Sequence, residues 1–139
     1  AHATELSLLD RPRLATLIER AFFVRSLGSS EAFLLAFDQG ADYDSPNFLW
    51  FRERYRRFVY VDRIVVAPAA RGQGYARRLY EELFAEARGK RHDRIVCEVN
   101  SVPPNPTSDA FHAALEFSEV GAAVLAGDAK TVRYLSRAL

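Results

Sequence analysis

The spacing of apolar and polar positions changes several times along this chain, which predicts a succession of helices and strands. Apolar residues recur at helical spacing over residues 10–19. Two apolar strands over residues 21–27 and 32–37 flank a Gly-Ser-Ser turn, which predicts a β-hairpin. Residues 38–57 follow no clean period, so we expect a long loop there, with at most one irregular turn of helix.

The second half of the chain contains its clearest helix. Apolar side chains at i, i+3 and i+4 run through residues 74–88, which predicts a helix that packs on the core. A hydroxyl cap at Thr107 or Ser108 predicts a shorter helix that continues through Leu115. The predicted strands of this half are residues 58–66, 94–100, 117–125 and 130–135. Since no linker or internal repeat interrupts this order, we expect one α/β domain over residues 1–139.

Composition and charge exclude several classes of protein. The formal net charge is only +1, so the chain has no overall attraction to nucleic acid or to anionic membranes. No apolar run approaches the roughly 18 residues of a membrane-spanning helix. The single cysteine, Cys97, excludes an internal disulfide framework and fits a reducing, cytoplasmic compartment. Because His2, His92 and His112 have no metal-ligand spacing, we expect no metal site.

One segment joins a strand, a glycine-containing turn and the clearest helix without interruption. The turn reads Arg71-Gly72-Gln73-Gly74-Tyr75-Ala76. Its two glycines allow positive φ angles and a close approach of a ligand to the backbone. Because a helix N-terminus presents unpaired N–H groups and a partial positive charge, this turn is a candidate seat for a phosphate or pyrophosphate.

The residues of the turn decide between classes of phosphate-binding loop. A Walker loop is excluded because no lysine and hydroxyl residue follow the glycines, and a dinucleotide fingerprint because Arg77 replaces its third glycine. The pattern that remains is Gln/Arg-x-x-Gly-x-Gly/Ala, filled by Arg71, Gly74 and Ala76 and preceded by Val66-Ala67-Pro68. In these residues the chain resembles the GNAT superfamily of N-acetyltransferases, whose central motif binds the pyrophosphate of acetyl-coenzyme A.

The resemblance covers roughly residues 21–135 and implies the GNAT fold, an α/β fold with a mixed, mostly antiparallel sheet and flanking helices. Members of the superfamily usually begin with an edge strand and a first helix, and residues 1–9 are too few to supply both. We therefore expect this piece to be absent or to be replaced by another subunit. A homodimer, which is frequent in the superfamily, would cover a sheet edge that is otherwise a liability for solubility.

The resemblance also implies that acetyl-coenzyme A is the co-substrate. Residues implied to bind it are Ile64, Val65, Val66, Arg71, Gly72, Gln73, Gly74, Tyr75, Ala76, Arg77, Asn105 and Phe111. Backbone groups of Val65 and Val66 would contact the pantetheine arm and the thioester carbonyl, while the glycine turn would hold the pyrophosphate. Asn105 would bond the pantetheine amides, or would only end the proline-rich turn that precedes it.

A second group of residues lies downstream of the glycine turn. It consists of Cys97-Glu98-Val99, Asn105, Phe111-His112 and Leu115-Glu116-Phe117. This succession is similar to a strand Leu-Glu-Val, an asparagine and a helical Phe-Tyr-x-x-Leu-Gly-Phe that many superfamily members share. The chain departs from that pattern at His112, where a tyrosine usually stands, and at Glu116, which replaces a glycine.

Chemistry explains why acetyl transfer would need these residue types. An amine attacks a thioester only when it is deprotonated, so a carboxylate has to accept its proton, and Glu98 is the candidate base. Asp62 is the competing carboxylate, with pairing to Arg63 or Arg94 as its alternative role. His112 stands at the position of the acid that protonates the departing thiolate, and a partly buried structural histidine is the alternative.

The resemblance implies that the acceptor is an amine of a small molecule or a peptide, and the sequence does not fix its identity. The loop that contains Tyr43, Asp44 and Trp50 combines aromatic and acidic groups, which suits a wall for a cationic amine. A dimer contact or a plug in the core would use the same residues. The sequence thus predicts an N-acetyltransferase that works by direct transfer, with a non-catalytic coenzyme A-binding or dimerising module of the same fold as the alternative.

Overall fold

A six-stranded sheet organises the chain in the computed structural model, which describes residues 11–28, 31–102, 105–125 and 131–139. The helices are Arg11–Arg20 (α1), Pro46–Arg52 (α2), Tyr75–Gly89 (α3) and Pro106–Ala114 (α4). The strands are Phe23–Leu27 (β1), Ala32–Asp38 (β2), Val59–Val66 (β3), Arg94–Val102 (β4), Ser118–Val124 (β5) and Thr131–Ala138 (β6). None of the helices in these ranges is long and apolar enough to cross a membrane.

The strand order is β1-β2-β3-β4-β6-β5, and only the central pair β3–β4 is parallel. A parallel pair needs a crossover connection, and α3 supplies it between β3 and β4. The other neighbours pair in antiparallel fashion. The mixed, mostly antiparallel sheet predicted from the sequence is therefore confirmed.

Each face of the sheet carries its own hydrophobic cluster. On one face, α3 buries Leu79, Tyr80, Leu83, Phe84 and Ala87 against residues such as Val61 and Cys97. On the other face, Leu17 of α1 and Phe48 and Phe51 of α2 pack with Tyr60, Val96 and Tyr134. Neighbouring strand residues point to opposite faces, so Tyr60 and Val61 belong to different clusters, as do Val96 and Cys97.

Most predicted elements agree with the structure to within one or two residues, although β6 ends at Ala138, three residues beyond its predicted end. The largest difference concerns the loop predicted over residues 38–57. It contains the seven-residue helix Pro46–Arg52, with Pro46 in its first turn. Phe48 and Phe51 are buried, and Leu49 and Trp50 between them are half-buried. Because this short helix is apolar on most of its surface, no helical period is visible in its sequence.

The start of α4 also differs from the prediction. Asn105, rather than Thr107 or Ser108, caps the helix, because its Oδ1 accepts a hydrogen bond of 3.2 Å from the Ser108 backbone N–H. The predicted absence of a first strand concerns residues 1–9, which lie outside the described residues. Within the described ranges, β1 forms one edge of the sheet and β5 the other.

Candidate active site

The two parallel strands separate after a short contact, which opens the centre of the sheet. Within the described residues, β3 and β4 pair only at Val59–Ile95 and Tyr60–Val96. Beyond this point β3 follows β2, while β4 follows β6. Residues 61–66 of β3 and 97–102 of β4 therefore border an opening, here called the cleft. Val65 and Val66, predicted to contact the co-substrate, are paired on their β2 side along its border.

The glycine turn leads from the cleft into α3 and has the backbone that the sequence predicts. Gly72 and Gly74 have φ angles of 82° and 78°, and a Cβ added at either would meet nothing within 4 Å. Residues 71–74 are exposed, and no side chain caps the helix. The first turn of α3 contains no acidic residue, whereas Arg77 lies in it. An uncovered N-terminus of this kind attracts anions.

Glu98 lies half-buried on β4, on the face of the sheet that α2 covers. Its Oε1 accepts a hydrogen bond of 2.5 Å from the hydroxyl of Tyr60, which is on β3. Burial, followed by the negative charge of Glu98, raises the pKa of Tyr60 well above its ordinary value. Tyr60 therefore stays protonated and acts as a donor to Glu98.

Asp62 lies on the same face, but both of its carboxylate oxygens accept hydrogen bonds. Its side chain is 6% exposed, and Oδ2 accepts a hydrogen bond of 2.8 Å from Arg63 Nε. Oδ1 accepts one of 2.5 Å from the Tyr43 hydroxyl. Both carboxylate oxygens are thus engaged, one of them by a cation. These contacts match the pairing with Arg63 that the sequence offered as the alternative to a basic role.

His112 is buried between α4 and α3, with 6% of its surface exposed. Its Nδ1 lies 2.8 Å from the Ser108 carbonyl oxygen, which requires this nitrogen to be the donor. Nε2 is then the acceptor, 3.2 Å from the Tyr80 hydroxyl. Burial lowers the pKa of His112, so the ring is neutral near pH 7. These contacts favour the structural role over the acid.

The exit of α4 keeps a glycine-like backbone although Glu116 stands there. Glu116 has a φ angle of 69°, in the left-handed region that glycine prefers. The Phe117 N–H then reaches back to the His112 carbonyl at 3.0 Å, which ends the helix. Asn105 is exposed at the other end of α4, and Phe111 is half-buried with its ring 5.6 Å from that of Tyr80.

The predicted substrate wall divides into two parts. Trp50 stacks on Tyr134 at 4.2 Å and lies under the guanidinium of Arg54 at 3.8 Å, so it covers the sheet. Tyr43 and Asp44 instead line a cavity of about 410 Å³. The residues around this cavity are Pro12, Arg13, Thr16, Leu17, Arg20, Asp42, Tyr43 and Asp44. Through its hydroxyl, Tyr43 connects the cavity with Asp62.

Comparison with protein families decides the relationship. The model of the acetyltransferase (GNAT) family matches residues 43–117, more than half of the 139 residues. The chain belongs to the acetyltransferase (GNAT) family. The matched segment includes the cleft, the glycine turn, Glu98 and His112. No curated protein matches the sequence of this GNAT chain.

Solved structures agree with this GNAT fold at low sequence identity. An N-acetyltransferase from Staphylococcus aureus Mu50 is 18% identical, with a TM-score of 0.57, covering 81% of this chain and 64% of that one. The ribosomal-protein-S18-alanine N-acetyltransferase from Escherichia coli is 15% identical, with a TM-score of 0.59 and coverages of 94% and 90%. The NatC complex bound to Gag peptide and coenzyme A is 14% identical, with a TM-score of 0.61, and the match covers 78% of this chain and 61% of that one. The chain thus spans less than two thirds of the first and third of these chains.

Two features of this GNAT site escaped the sequence analysis. The first is Tyr60, which the strand pattern identifies only as one residue of a buried strand. The second is Tyr80, the partner of His112, which lies 32 residues before it in the sequence. The available signal is that a buried tyrosine hydroxyl usually needs a hydrogen-bond partner. Among the described residues, no three His, Cys, Asp or Glu side chains are grouped so that they could hold a metal ion.

Proposed function

We propose that this protein is an acyl-coenzyme A-dependent N-acyltransferase that transfers an acetyl group to a primary amine by direct attack. One observation carries the proposal: the cleft between β3 and β4 opens beside an uncovered helix N-terminus. Acetyl-coenzyme A has a thioester at one end of an extended arm and a pyrophosphate at the other. A strand border can bond the amides of the arm, and the helix N-terminus can bond the pyrophosphate.

The residues predicted from the sequence take matching positions in this proposal. Backbone groups of residues 64–66 contact the pantetheine arm and the thioester carbonyl. The backbone N–H groups and basic side chains of residues 71–77 hold the pyrophosphate. The Asn105 side-chain N–H₂ stays available for a pantetheine carbonyl, since only its Oδ1 is needed for the helix cap. Phe111, which lies further along the same helix, supplies apolar surface for the arm.

Glu98 is the proposed general base, and Asp62 is the second candidate. Glu98 accepts a proton from the amine, directly or through water, as the amine nitrogen bonds to the acetyl carbon, and the carbon–sulfur bond breaks when the resulting tetrahedral intermediate collapses. The engaged oxygens and low exposure of Asp62 support this order of preference. Backbone N–H groups at the border of the cleft stabilise the oxyanion of the tetrahedral intermediate.

Neither His112 nor Cys97 takes part in bond-making under this proposal. The contacts of His112 with Tyr80 and Ser108 support a structural role, so solvent supplies the proton to the departing sulfur. Burial, and then the charge of Glu98, raise the pKa of the Cys97 thiol. A buried, protonated thiol is a poor nucleophile, which supports direct transfer over a covalent acetyl-enzyme.

The cavity between α1 and residues 42–44 is the proposed acceptor site. It contains Tyr43 and Asp44, two of the three residues that the sequence assigns to the acceptor, while Trp50 supports the sheet. The acidic and aromatic groups suit a protonated amine on a small molecule or a peptide terminus. The NatC complex, bound to Gag peptide and coenzyme A, illustrates a peptide complex in a similar fold. A homodimer and a cytoplasmic location stay predictions.

Calorimetric titration tests the pyrophosphate seat. Acetyl-coenzyme A should bind, whereas acetyl-pantetheine, which lacks the pyrophosphate, should bind at least tenfold more weakly. Gly74→Val should weaken acetyl-coenzyme A binding to a similar extent, because a β-branched side chain is strained at a φ angle of 78° and displaces the backbone of the turn.

Gly89→Ala is the matched control at the opposite end of the same helix. A Cβ at Gly89 meets nothing within 4 Å, and this residue has no positive φ angle. It should leave binding unchanged, and thermal unfolding of both variants separates a lost site from a lost fold. Equal affinity for the two ligands would contradict the pyrophosphate seat.

The burial of His112 is one observation that favours a second candidate, a coenzyme A-binding module without catalysis. An enzyme releases free thiol from acetyl-coenzyme A only when a suitable amine is present. A module binds the ligand and releases none with any member of a panel of peptides, polyamines and small amines. The release assay therefore separates the two candidates directly.

A further inference from the structure

Tyr60 occupies the closed end of the cleft. Its backbone forms the last pair between β3 and β4, opposite Val96, and the two strands separate after it. The side chain is 1% exposed and packs against Phe48 and Phe51 of α2, with ring centroids 5.7 and 5.9 Å away. Tyr60 is therefore held by a rigid aromatic cluster rather than by the mobile end of a loop.

From this position the Tyr60 side chain reaches across from one strand to the other. Its hydroxyl bonds Glu98, two residues beyond Val96 on β4 and on the same face of the sheet. Tyr134, the register partner of Glu98 on β6, donates its hydroxyl to Asn47 Oδ1 at 2.8 Å instead. Of these two neighbouring phenols, Tyr60 is the one whose hydroxyl contacts Glu98.

We propose that Tyr60 is a positioning residue that holds the Glu98 carboxylate, in its ionised form, at the closed end of the cleft. The role in catalysis rests on the proposed function, whereas the contact itself does not. A hydrogen bond donated to a carboxylate fixes its orientation and favours its ionised state. In this proposal the helix α2 has a specific role, because its Phe48 and Phe51 rings pack against Tyr60 and hold the hydrogen-bond donor in place.

Several titratable groups surround this pair. Glu98 raises the pKa values of Tyr60, Tyr80, Cys97 and Tyr134, after burial in each case. Asp62 also acts on Tyr60, through its charge. All four of the affected groups are neutral at working pH, so they do not change charge while Glu98 titrates. A matched control variant keeps Asp62 and the other charged groups in place, so a shift in the titration of Glu98 that the control lacks can be assigned to the removed hydroxyl.

Tyr60→Phe tests the inference, with Tyr55→Phe as the matched control. Both changes remove one hydroxyl, but Tyr55 lies under Arg94, 3.9 Å from its guanidinium, and outside the contact with Glu98. Carbon-13 carboxyl resonances follow the titration of Glu98 in the free protein, assigned by the signal that is missing in Glu98→Gln. Tyr60→Phe should move the Glu98 midpoint upward by about one to two pH units, the size expected for a hydrogen bond to a charged group.

The control should leave the Glu98 midpoint where it is. An unchanged midpoint in Tyr60→Phe overturns the inference, whatever the protein's activity. If Tyr60→Phe does not fold, the Tyr60 ring-carbon resonance of the unmodified protein provides a second measurement. That resonance should change with the protonation of Glu98, and its independence from Glu98 would equally overturn the inference.

Kinetics add the catalytic part of the test. With an acceptor amine, the acidic limb of kcat/KM should move upward in Tyr60→Phe by the same amount as the Glu98 midpoint, and should stay in place in Tyr55→Phe. A shifted midpoint in a protein that acetylates no amine would retain the contact but reject the proposed function. A shifted midpoint with an unshifted limb would retain the function but reject Glu98 as the base.

Discussion

The two faces of the sheet use polar side chains in opposite ways. On the α3 face, Cys97, Tyr80 and His112 are buried, and burial favours the neutral form of each. On the α2 face, two carboxylates each accept a hydrogen bond from a phenol, Glu98 from Tyr60 and Asp62 from Tyr43. The α3 face also carries Arg137, whose guanidinium lies 4.6 Å from the centroid of the Phe84 ring, so the two faces differ in their candidate reacting groups rather than in charge as a whole.

The alternation of side chains along one strand produces this division. Cys97 and Glu98 are neighbours in β4 and belong to opposite faces. The cavity beside Tyr43 lies on the face that carries the Glu98 and Asp62 carboxylates. A charge buried under α3 would need its own partner in a dry core, whereas a charge beside the cleft stays partly solvated. The comparison thus teaches that position along the pleat, more than residue type, separates reactive from structural groups here.

Glu98→Gln should have the largest effect, because it removes the proposed base from the α2 face. General bases contribute roughly 10²–10⁴-fold to rate, so we expect kcat/KM to fall by about 10² or more. The loss should be greatest below the pKa of the amine, where most of the acceptor carries an extra proton. Release of free thiol across a pH series measures it.

Cys97→Ala is the control on the other face of the same strand. It should change stability, since Cys97 is buried, but it should leave the pH–rate profile in place. If Glu98→Gln leaves the pH–rate profile unchanged, the base is Asp62 or no side chain. The two faces would then differ only in how their side chains pack.

Gly121→Ala should have an intermediate effect, which lowers stability by displacing part of α2. A Cβ at Gly121 would lie 2.4 Å from the Trp50 ring, which stacks on Tyr134. The indole has to move, and overpacking of this kind costs about 1–3 kcal/mol in the free energy of unfolding. Trp50 is the only tryptophan of the chain, so urea unfolding followed by its fluorescence reports both the stability and the displaced ring.

Gly89→Ala provides the comparison for Gly121→Ala, because its added methyl meets no atom within 4 Å. We expect no loss of stability and no change in the Trp50 spectrum for this variant. Equal stability and equal spectra of the two variants would show that α2 tolerates movement, and would remove the rigid support argued for Tyr60.

The parts of the site that the sequence could predict are local ones. The glycine turn can be predicted because its positive φ angles depend only on a few adjacent residues, and Gly72 and Gly74 are the residues that adopt them. Glu98 can be predicted as the candidate base because Cys97-Glu98-Val99 is similar to the Leu-Glu-Val strand of the family. The fold follows from long periodic segments such as α3, whose apolar period over residues 74–88 predicts the face that the helix buries.

The parts that could not be predicted depend on contacts between distant residues. The role of Tyr60 requires knowing where β3 and β4 separate, and its partner lies 38 residues away. The role of His112 depends on Tyr80, which comes from another helix. Helix α2 was missed because its short sequence is apolar on several sides, so burial rather than periodicity determines it.

His112→Phe should have the smallest effect, a modest loss of stability, and it tests the buried polar groups on the α3 face. The variant removes the imidazole that bonds the Tyr80 hydroxyl and the Ser108 carbonyl, which should cost about 0.5–1.5 kcal/mol in the free energy of unfolding at neutral pH, because the hydroxyl keeps Cys97 as a partner and the carbonyl keeps its helical N–H. Urea unfolding of the variant and the unmodified protein measures the difference. A large loss of turnover with stability preserved would instead return His112 to the role of acid.

The pH dependence of that difference provides the sharper test. Burial lowers the pKa of His112 below its ordinary value of 6.5, so below pH 6.5 the unfolded state binds a proton that the folded state does not. This contribution to stability is complete above pH 6.5 and is lost as the pH falls through the lowered pKa of the folded state. His112→Phe lacks the titrating group, so the stability advantage of the unmodified protein should shrink as the pH falls below 6.5. An advantage that grows on acidification would mean that the folded protein holds the imidazolium, and the structural role of a neutral His112 would then be wrong.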